Sequence, residues 1–124
     1  MSDIEIEGVV INGNALGRTI GFPTANMDIA EGVVIENGVY RSTVELDGST
    51  YAAMTNVGVR PSVDGTTRLL ETHIFGYEGS LYGRRLTVCL HAKLRDERKF
   101  PSLEALKEQI ASDAAAILAG ANDE

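Results

Sequence analysis

From Gly38 to Leu94 short apolar stretches alternate with turn signals, and Asp47-Gly48, Asp64-Gly65 and Glu78-Gly79 each separate two of them. Asp-Gly between alternating apolar runs is a strong hairpin signal. The pattern predicts strands over Gly8–Ile11, Val39–Leu46, Tyr51–Val57, Leu69–Phe75 and Leu86–Leu94. No helical pattern intervenes, which points to an antiparallel sandwich or barrel rather than a βαβ sheet. The end of the chain has a different period. Leu103, Leu106, Ile110, Ala114, Ile117 and Leu118 recur at helical spacing and predict a helix over about 103–119. Ser102 is placed to cap its N-terminus and Gly120 to close its C-terminus. The helix is expected to lay its apolar stripe on the β-structure. With no internal repeat and no linker, residues 1–124 read as one β-rich domain.

Composition narrows the class. A length of 124 residues suits one domain, and 44% hydrophobic with 23% charged residues excludes disordered and collagen-like chains. Eighteen acidic against 11 basic residues give a net charge of −7, which argues against a general nucleic-acid surface. No apolar run approaches the roughly 18 residues a membrane span needs. The start, Met1-Ser-Asp-Ile-Glu-Ile-Glu, is acidic and lacks the features of a signal peptide. The single cysteine, Cys89, cannot form an internal disulfide. A cytoplasmic, monomeric protein is the expectation. The charge is uneven, however. Residues 84–100 hold six basic groups (Arg84, Arg85, Lys93, Arg95, Arg98, Lys99) and two acidic ones (Asp96, Glu97), a positive island in a negative chain. It suits either an anion contact or a solvated loop face.

Candidate chemistry concentrates in two stretches. In Gly13-Asn-Ala-Leu-Gly17-Arg18-Thr19-Ile20-Gly21 the glycines let backbone approach a ligand closely, and N–H groups beside Arg18 and Thr19 suit phosphate oxygens. The stretch is neither a Walker A loop nor a Rossmann fingerprint, and a hairpin loop without a ligand accounts for the glycines equally. Pro23 then pushes Phe22 toward an extended conformation. If the chain stays extended, Thr24 and Asn26 project to one side, offering the hard neutral oxygens that Mg²⁺ takes. They would otherwise satisfy turn backbone. In Leu69-Leu70-Glu71-Thr72-His73-Ile74-Phe75, period two puts Glu71 on a face with Leu69, His73 and Phe75. A partly buried Glu71 could accept a proton from a substrate hydroxyl; a solvated strand-face glutamate is the alternative. His73 and His91 show no metal-ligand spacing and read as structural, and Cys89-Leu-His91 is no established zinc pattern.

Taken together these segments resemble the riboflavin kinase family, the flavokinase module that also forms the C-terminal half of bacterial bifunctional FAD synthetases. The likeness runs from about Glu7 to Leu118. It is carried by Gly13-x3-Gly17-Arg18-x2-Gly21-Phe22-Pro23-Thr24-Ala25-Asn26, Gly38-Val-Tyr40, Asn56-Val-Gly58-Val-Arg60-Pro61 and Glu71-Thr-His73-Ile74. Leu81-Tyr82-Gly83 and Leu94-Arg95-Asp96-Glu97-Arg98-Lys99-Phe100 complete it. The resemblance implies a mainly β fold, a six-stranded antiparallel Greek-key barrel with a C-terminal α-helix. It implies ATP-dependent phosphorylation of the riboflavin 5′-hydroxyl to give FMN and ADP, with Mg²⁺. By the same likeness Thr24 and Asn26 hold Mg²⁺ and phosphate, and Glu71 is the catalytic base. Gly13, Gly17, Arg18, Thr19 and Gly21 belong to a flap over the nucleotide phosphates. Arg95, Glu97 and Phe100 belong to a second flap near the flavin, which falls inside the positive island. Such flaps would exclude water, and flavin would use Phe100 and the helix stripe.

The sequence departs from the family pattern at Ser62, where Thr is usual after Arg-Pro, and at Gly76, where an Asp is usual. Losing that Asp is expected to loosen the turn behind Glu71. No adenylyltransferase half precedes residue 1, so the chain is not expected to convert FMN to FAD unaided. Two other classes compete: a catalytically weakened flavin or nucleotide-binding regulator, and a β-barrel module binding RNA or protein. Retention of Thr24, Asn26 and Glu71 together weighs against the first. Net acidity and the absence of Trp weigh against RNA.

Overall fold

Apolar side chains at every second position need a common interior, and the chain supplies it by curling one sheet onto itself. The computed structural model describes residues 3–11, 24–29, 33–62, 65–77 and 81–121. Its strands are β1 (Ile4–Val9), β2 (Ala25–Asp28), β3 (Gly38–Leu46), β4 (Ser49–Ser62), β5 (Gly65–Ile74) and β6 (Arg85–Arg95), and its helix is α1 (Leu103–Ala121). The sheet order is β1-β6-β3-β4-β5-β2, with every neighbouring pair antiparallel. β3, β4 and β5 follow one another through hairpins and β6 returns to lie beside β3, which is the Greek-key arrangement. The two sheet ends meet where the Ile11 N–H donates to the Asn26 carbonyl at 2.8 Å. Gly8 faces β2 so closely that a Cβ there would sit 3.0 Å from Met27 Cε. The result is a nearly closed six-stranded barrel with a C-terminal helix, as the family resemblance implies.

The Asp47-Gly48 turn has φ of 52° and 81°, the left-handed pair that twists with its strands, and Leu46 pairs with Ser49 across it. Inside the barrel, Met27, Leu70 and Val57 form one row across β2, β5 and β4, all at 1% exposure or less. Three hydroxyls share this interior. Ser42 Oγ lies 2.8 Å from Thr55 Oγ1, which lies 3.0 Å from Thr72 Oγ1, so each buried hydroxyl has a partner.

Helix α1 starts as its sequence suggests: Ser102 Oγ accepts a hydrogen bond from the Ala105 N–H at 3.1 Å. It packs on the outer face, where buried Ile117 meets Val39 and Met54, with Ile110 and Phe75 alongside. The apolar stripe is narrower than its spacing suggested, because Leu103 and Leu118 remain 46% and 43% exposed. A side-on ion pair locks the helix to β6. Arg95 Nε donates to both Asp113 oxygens at 3.2 and 3.0 Å, and Arg95 Nη2 donates to Oδ2 at 2.8 Å. Gln109 Nε2 donates to the same carboxylate at 2.9 Å.

Four expectations need correction. β1 runs from Ile4, not Gly8, because the alternation Ile4-Glu-Ile6-Glu already pairs with Leu90–Thr87 of β6. β2 was outside the periodic pattern, since four residues are too few to show a period. Gly65 is a paired strand residue opposite Ser62, not a residue between two strands. Gly120 lies within α1, which continues to Ala121, and does not adopt the positive φ of a closing glycine. The Glu78-Gly79 signal lies outside the described residues. Among the described residues no helix is long and apolar enough to cross a membrane.

Removing the Asp113 carboxylate leaves Arg95, whose side chain is 19% exposed, without its partner. Asp113→Ala should therefore lower stability by about 2–3 kcal/mol, below the cost for a fully buried pair because Arg95 still touches water. Urea unfolding checks it; an unchanged midpoint would show that the pair does not hold the helix.

Candidate active site

The pairing of β5 with both neighbours determines what stands on the outer face. Leu70, Thr72 and Ile74 face inward and are buried, which turns Glu71 and His73 outward. Asn26 on β2 and Asn56 on β4 are each directly opposite Glu71. Asn56 in turn is opposite Val39, and Val39 is opposite Arg95. Opposed residues share a face with Cβ atoms about 5 Å apart, so Asn26, Glu71, Asn56, Val39 and Arg95 form one outward row across five strands. Although they face outward, Glu71 and Asn26 are only 7% and 9% exposed.

At the β2 end of the row the Thr24 hydroxyl donates to Asn26 Oδ1 at 3.4 Å. The residues two apart therefore converge, as extended backbone requires. Two neutral oxygens this close, with a third oxygen-bearing side chain opposite, are the hard donor type that Mg²⁺ takes. On the β5 side, His73 stacks edge-on against Phe75 at 5.2 Å between ring centres and 86° between planes. Gly76 follows at φ 76°, a conformation open to glycine at little cost. The turn behind Glu71 is thus formed with glycine where the family pattern has Asp.

The 96–100 loop is held over the middle of the row. Asn56 Nδ2 donates to Glu97 Oε2 at 3.0 Å. Gly58 lies beneath the same carboxylate, and a Cβ there would fall 2.1 Å from Glu97 Oε2. Lys93 Nζ reaches Asp96 at 2.6 Å and Glu36 at 3.2 Å. Those hydrogen bonds hold the lysine above its ordinary pKa, the Asp96 bond contributing most, and the same bond holds the Asp96 carboxyl below its own. Arg95 Nη1 donates to the Asp96 carbonyl at 3.2 Å. The guanidinium carbons of Arg95 and Arg98 lie 5.6 and 4.8 Å from the centre of the Phe100 ring, close enough for cation–π attraction.

Arg95, Glu97 and Phe100, expected together from the sequence, are therefore brought together, and Glu97 reaches the Glu71 row through Asn56. The positive island proves to be largely paired. Arg84 binds Asp47, Arg85 binds Glu7, Lys93 binds Asp96 and Glu36, and Arg95 binds Asp113. Gly13, Gly17, Arg18, Thr19 and Gly21 lie outside the described residues. Asn56 and Gly58 were not singled out as site residues, yet both carried a signal. Asn is depleted within strands, and a strand-interior Gly marks close approach of another group.

Comparison with known proteins agrees with this geometry. Residues 1–119 match the family model for Flavokinase, described as riboflavin kinase. A bifunctional riboflavin kinase/FMN adenylyltransferase from Pseudomonas fluorescens is 46% identical over 115 residues, covering 92% of this chain and 37% of the relative. That of Escherichia coli K12 is 44% identical over 109 residues, covering 87% and 35%. The chain thus spans little more than a third of these relatives. Among solved structures, one described as a macrolide-efflux protein from Streptococcus pneumoniae superposes with a TM-score of 0.84 at 34% identity, covering 94% of this chain and 38% of that one. Riboflavin kinase from Trypanosoma brucei superposes with a TM-score of 0.61 over 94% of this chain and 78% of its own; at 22% identity it speaks for the fold alone. A family match over nearly the whole length, on a barrel that aligns Asn26, Glu71 and Asn56, leads to one conclusion: the chain belongs to the riboflavin kinase family.

Proposed function

We propose that this chain transfers the γ-phosphoryl group of ATP to the 5′-hydroxyl of riboflavin, giving FMN and ADP, with Glu71 as base. The observation that carries the reading is the register Asn26–Glu71–Asn56, which sets a carboxylate between an oxygen pair and the residue that anchors the 96–100 loop. Phosphoryl transfer asks a protein mainly to align the reactants and neutralise charge. Glu71 accepts the proton of the attacking hydroxyl as the new O–P bond forms and the bond to the leaving ADP oxygen breaks. Thr24 and Asn26 would hold Mg²⁺, which when bound neutralises charge on the phosphates. Glu97, kept at Asn56, and Phe100, kept beneath two guanidinium groups, are placed to orient the flavin over the outer face. Arg95 acts by positioning, since its guanidinium is given to Asp113 and the Asp96 carbonyl.

The direct test is incubation with riboflavin and Mg-ATP, with FMN detected by chromatography. FMN is expected; bound flavin without FMN would instead indicate a binder. Glu71→Gln should lower turnover about 10²–10⁴-fold, the usual contribution of a general base, and near-native turnover would remove Glu71 from that role.

Thr24→Ala and Asn26→Ala should each raise the Mg²⁺ concentration needed for half-maximal rate. An unchanged Mg²⁺ dependence would count against the metal assignment.

Gly58→Ala places a methyl group where Glu97 Oε2 now lies, displacing the carboxylate from Asn56. The KM for riboflavin should rise more than kcat falls. Equal KM values would show that Glu97 does not orient the flavin.

A further inference from the structure

A second cluster of chemical groups stands on β1, β6 and β3, four residues along β3 from the Val39 of the active-site row. Cys89 is opposite both Glu5 and Thr43, on the outer face. Two residues on, His91 is the extra residue of a β-bulge, because Leu90 pairs with Ser42 while Ala92 pairs with Arg41. A bulge re-aims its side chain, and such irregularities are common at functional positions. Here it brings the imidazole over Cys89 and toward Asp3, just ahead of β1. His91 Nδ1 lies 2.9 Å from Asp3 Oδ2 and 4.0 Å from Cys89 Sγ, and the three donor atoms all lie within 4.8 Å of one another.

The orientation of the ring decides between two chemistries. In a nucleophile relay the thiol and the carboxylate engage opposite nitrogens of the histidine. Here both converge on Nδ1, while Nε2 is engaged by the Thr43 hydroxyl at 2.8 Å. Without a cation an Nδ1–H donates to the Asp3 carboxylate; a metal ion takes the place of that proton, and the Thr43 hydroxyl then accepts from Nε2–H, the arrangement of a metal-ligating histidine. Burial, followed by the charges of Asp3, Glu5 and Glu45, raises the Cys89 thiol above its ordinary value, the reverse of an activated nucleophile. The same negative charges favour a cation among them.

We propose that Asp3, Cys89 and His91 form a binding site for a thiophilic divalent cation, Zn²⁺ rather than Mg²⁺, with Thr43 orienting the histidine. One sulfur, one imidazole nitrogen and one carboxylate oxygen make a donor set that suits Zn²⁺, whereas Mg²⁺ prefers oxygen alone. Tetrahedral Zn²⁺ bonds of about 2.0–2.3 Å separate donor atoms by about 3.3–3.7 Å, which side-chain rotations reach from the spacing present. The His91 and Asp3 side chains are 20% and 50% exposed, which leaves a fourth position open to water or another ligand. On binding, Cys89 releases its thiol proton to solvent. This site differs in chemistry and in place from the Thr24–Asn26 oxygen pair.

Titration of the full, metal-free chain with Co²⁺ tests the proposal, because a cysteine ligand gives a thiolate-to-cobalt charge-transfer band in the near ultraviolet. One equivalent should develop the band, Zn²⁺ should abolish it and excess Mg²⁺ should leave it intact. Cys89→Ser and His91→Ala should lose it, and Thr43→Val should weaken Co²⁺ binding about 10–100-fold, as loss of an orienting partner does. No band in the native chain, or an equal band in His91→Ala, overturns the proposal. If the strand variants do not fold, Asp3→Asn at the exposed start of the chain decides it: weakened Co²⁺ binding supports the site, and unchanged affinity overturns it.

Discussion

The register between β4 and β5 is the constraint on which the rest depends. Side chains alternate with a period of two, so a slip of one residue would exchange the faces of the whole strand. Glu71 would then enter the barrel and Thr72 would leave it. Leu70 and Val57 oppose such a slip by being fully buried opposite each other, and the Thr55–Thr72 hydroxyl contact opposes it by geometry. Because Thr55 precedes Asn56 and Thr72 follows Glu71, the buried hydroxyls lie directly behind the groups of the outer row. The polar interior is thus part of the site's support, although nothing in it reaches solvent.

Charge is used in this protein mostly to fasten elements together. The positive stretch at 84–100 has the composition of an anion site, but Arg84, Arg85, Lys93 and Arg95 each hold a carboxylate from elsewhere in the chain. The most enclosed of these pairs, Arg95–Asp113, fixes the helix against the strand from which the 96–100 loop departs. Loop placement and helix docking are therefore one problem with one solution. Local charge density counts cations and not their partners, which topology supplies from Glu7, Glu36, Asp47 and Asp113.

Much of this was legible in the sequence, within definite limits. Asp47-Gly48 announced its turn because only a few residue types accept two left-handed conformations in succession. Alternation put Glu71 on one face with His73, opposite Leu70, Thr72 and Ile74, without saying which face looks outward, and the Ser102 cap followed from its position before the helical period. What escaped was short or non-local. β2 has four residues and acquires its identity as a strand by pairing with β5, not from its own pattern. Asn56 meets Glu97 across 41 residues of chain, and His91 meets Asp3 across 88. No local spacing encodes such encounters; a strand-interior Asn, a strand-interior Gly and a lone Cys-x-His were the traces they left.

The closure of the barrel has a mechanical consequence. β5 is bound on one side along its whole length by β4, whereas on the other, among the described residues, its backbone pairs with the four residues of β2 and takes one further bond from the Ile29 N–H at Arg68. Among the described residues, the backbone tie between β2 and the β1 end is the Ile11–Asn26 hydrogen bond. Segments with few such ties open at lower free energy than the core. The two walls of the site therefore differ in stiffness: the wall bearing Glu71 is anchored in the rigid body of the barrel, and the wall bearing Asn26 is a compliant seam. For the phosphoryl transfer proposed above, a base on the fixed strand beside a yielding seam would let a polyphosphate enter and leave without disturbing the base, the seam acting as a spring and the strand as its frame.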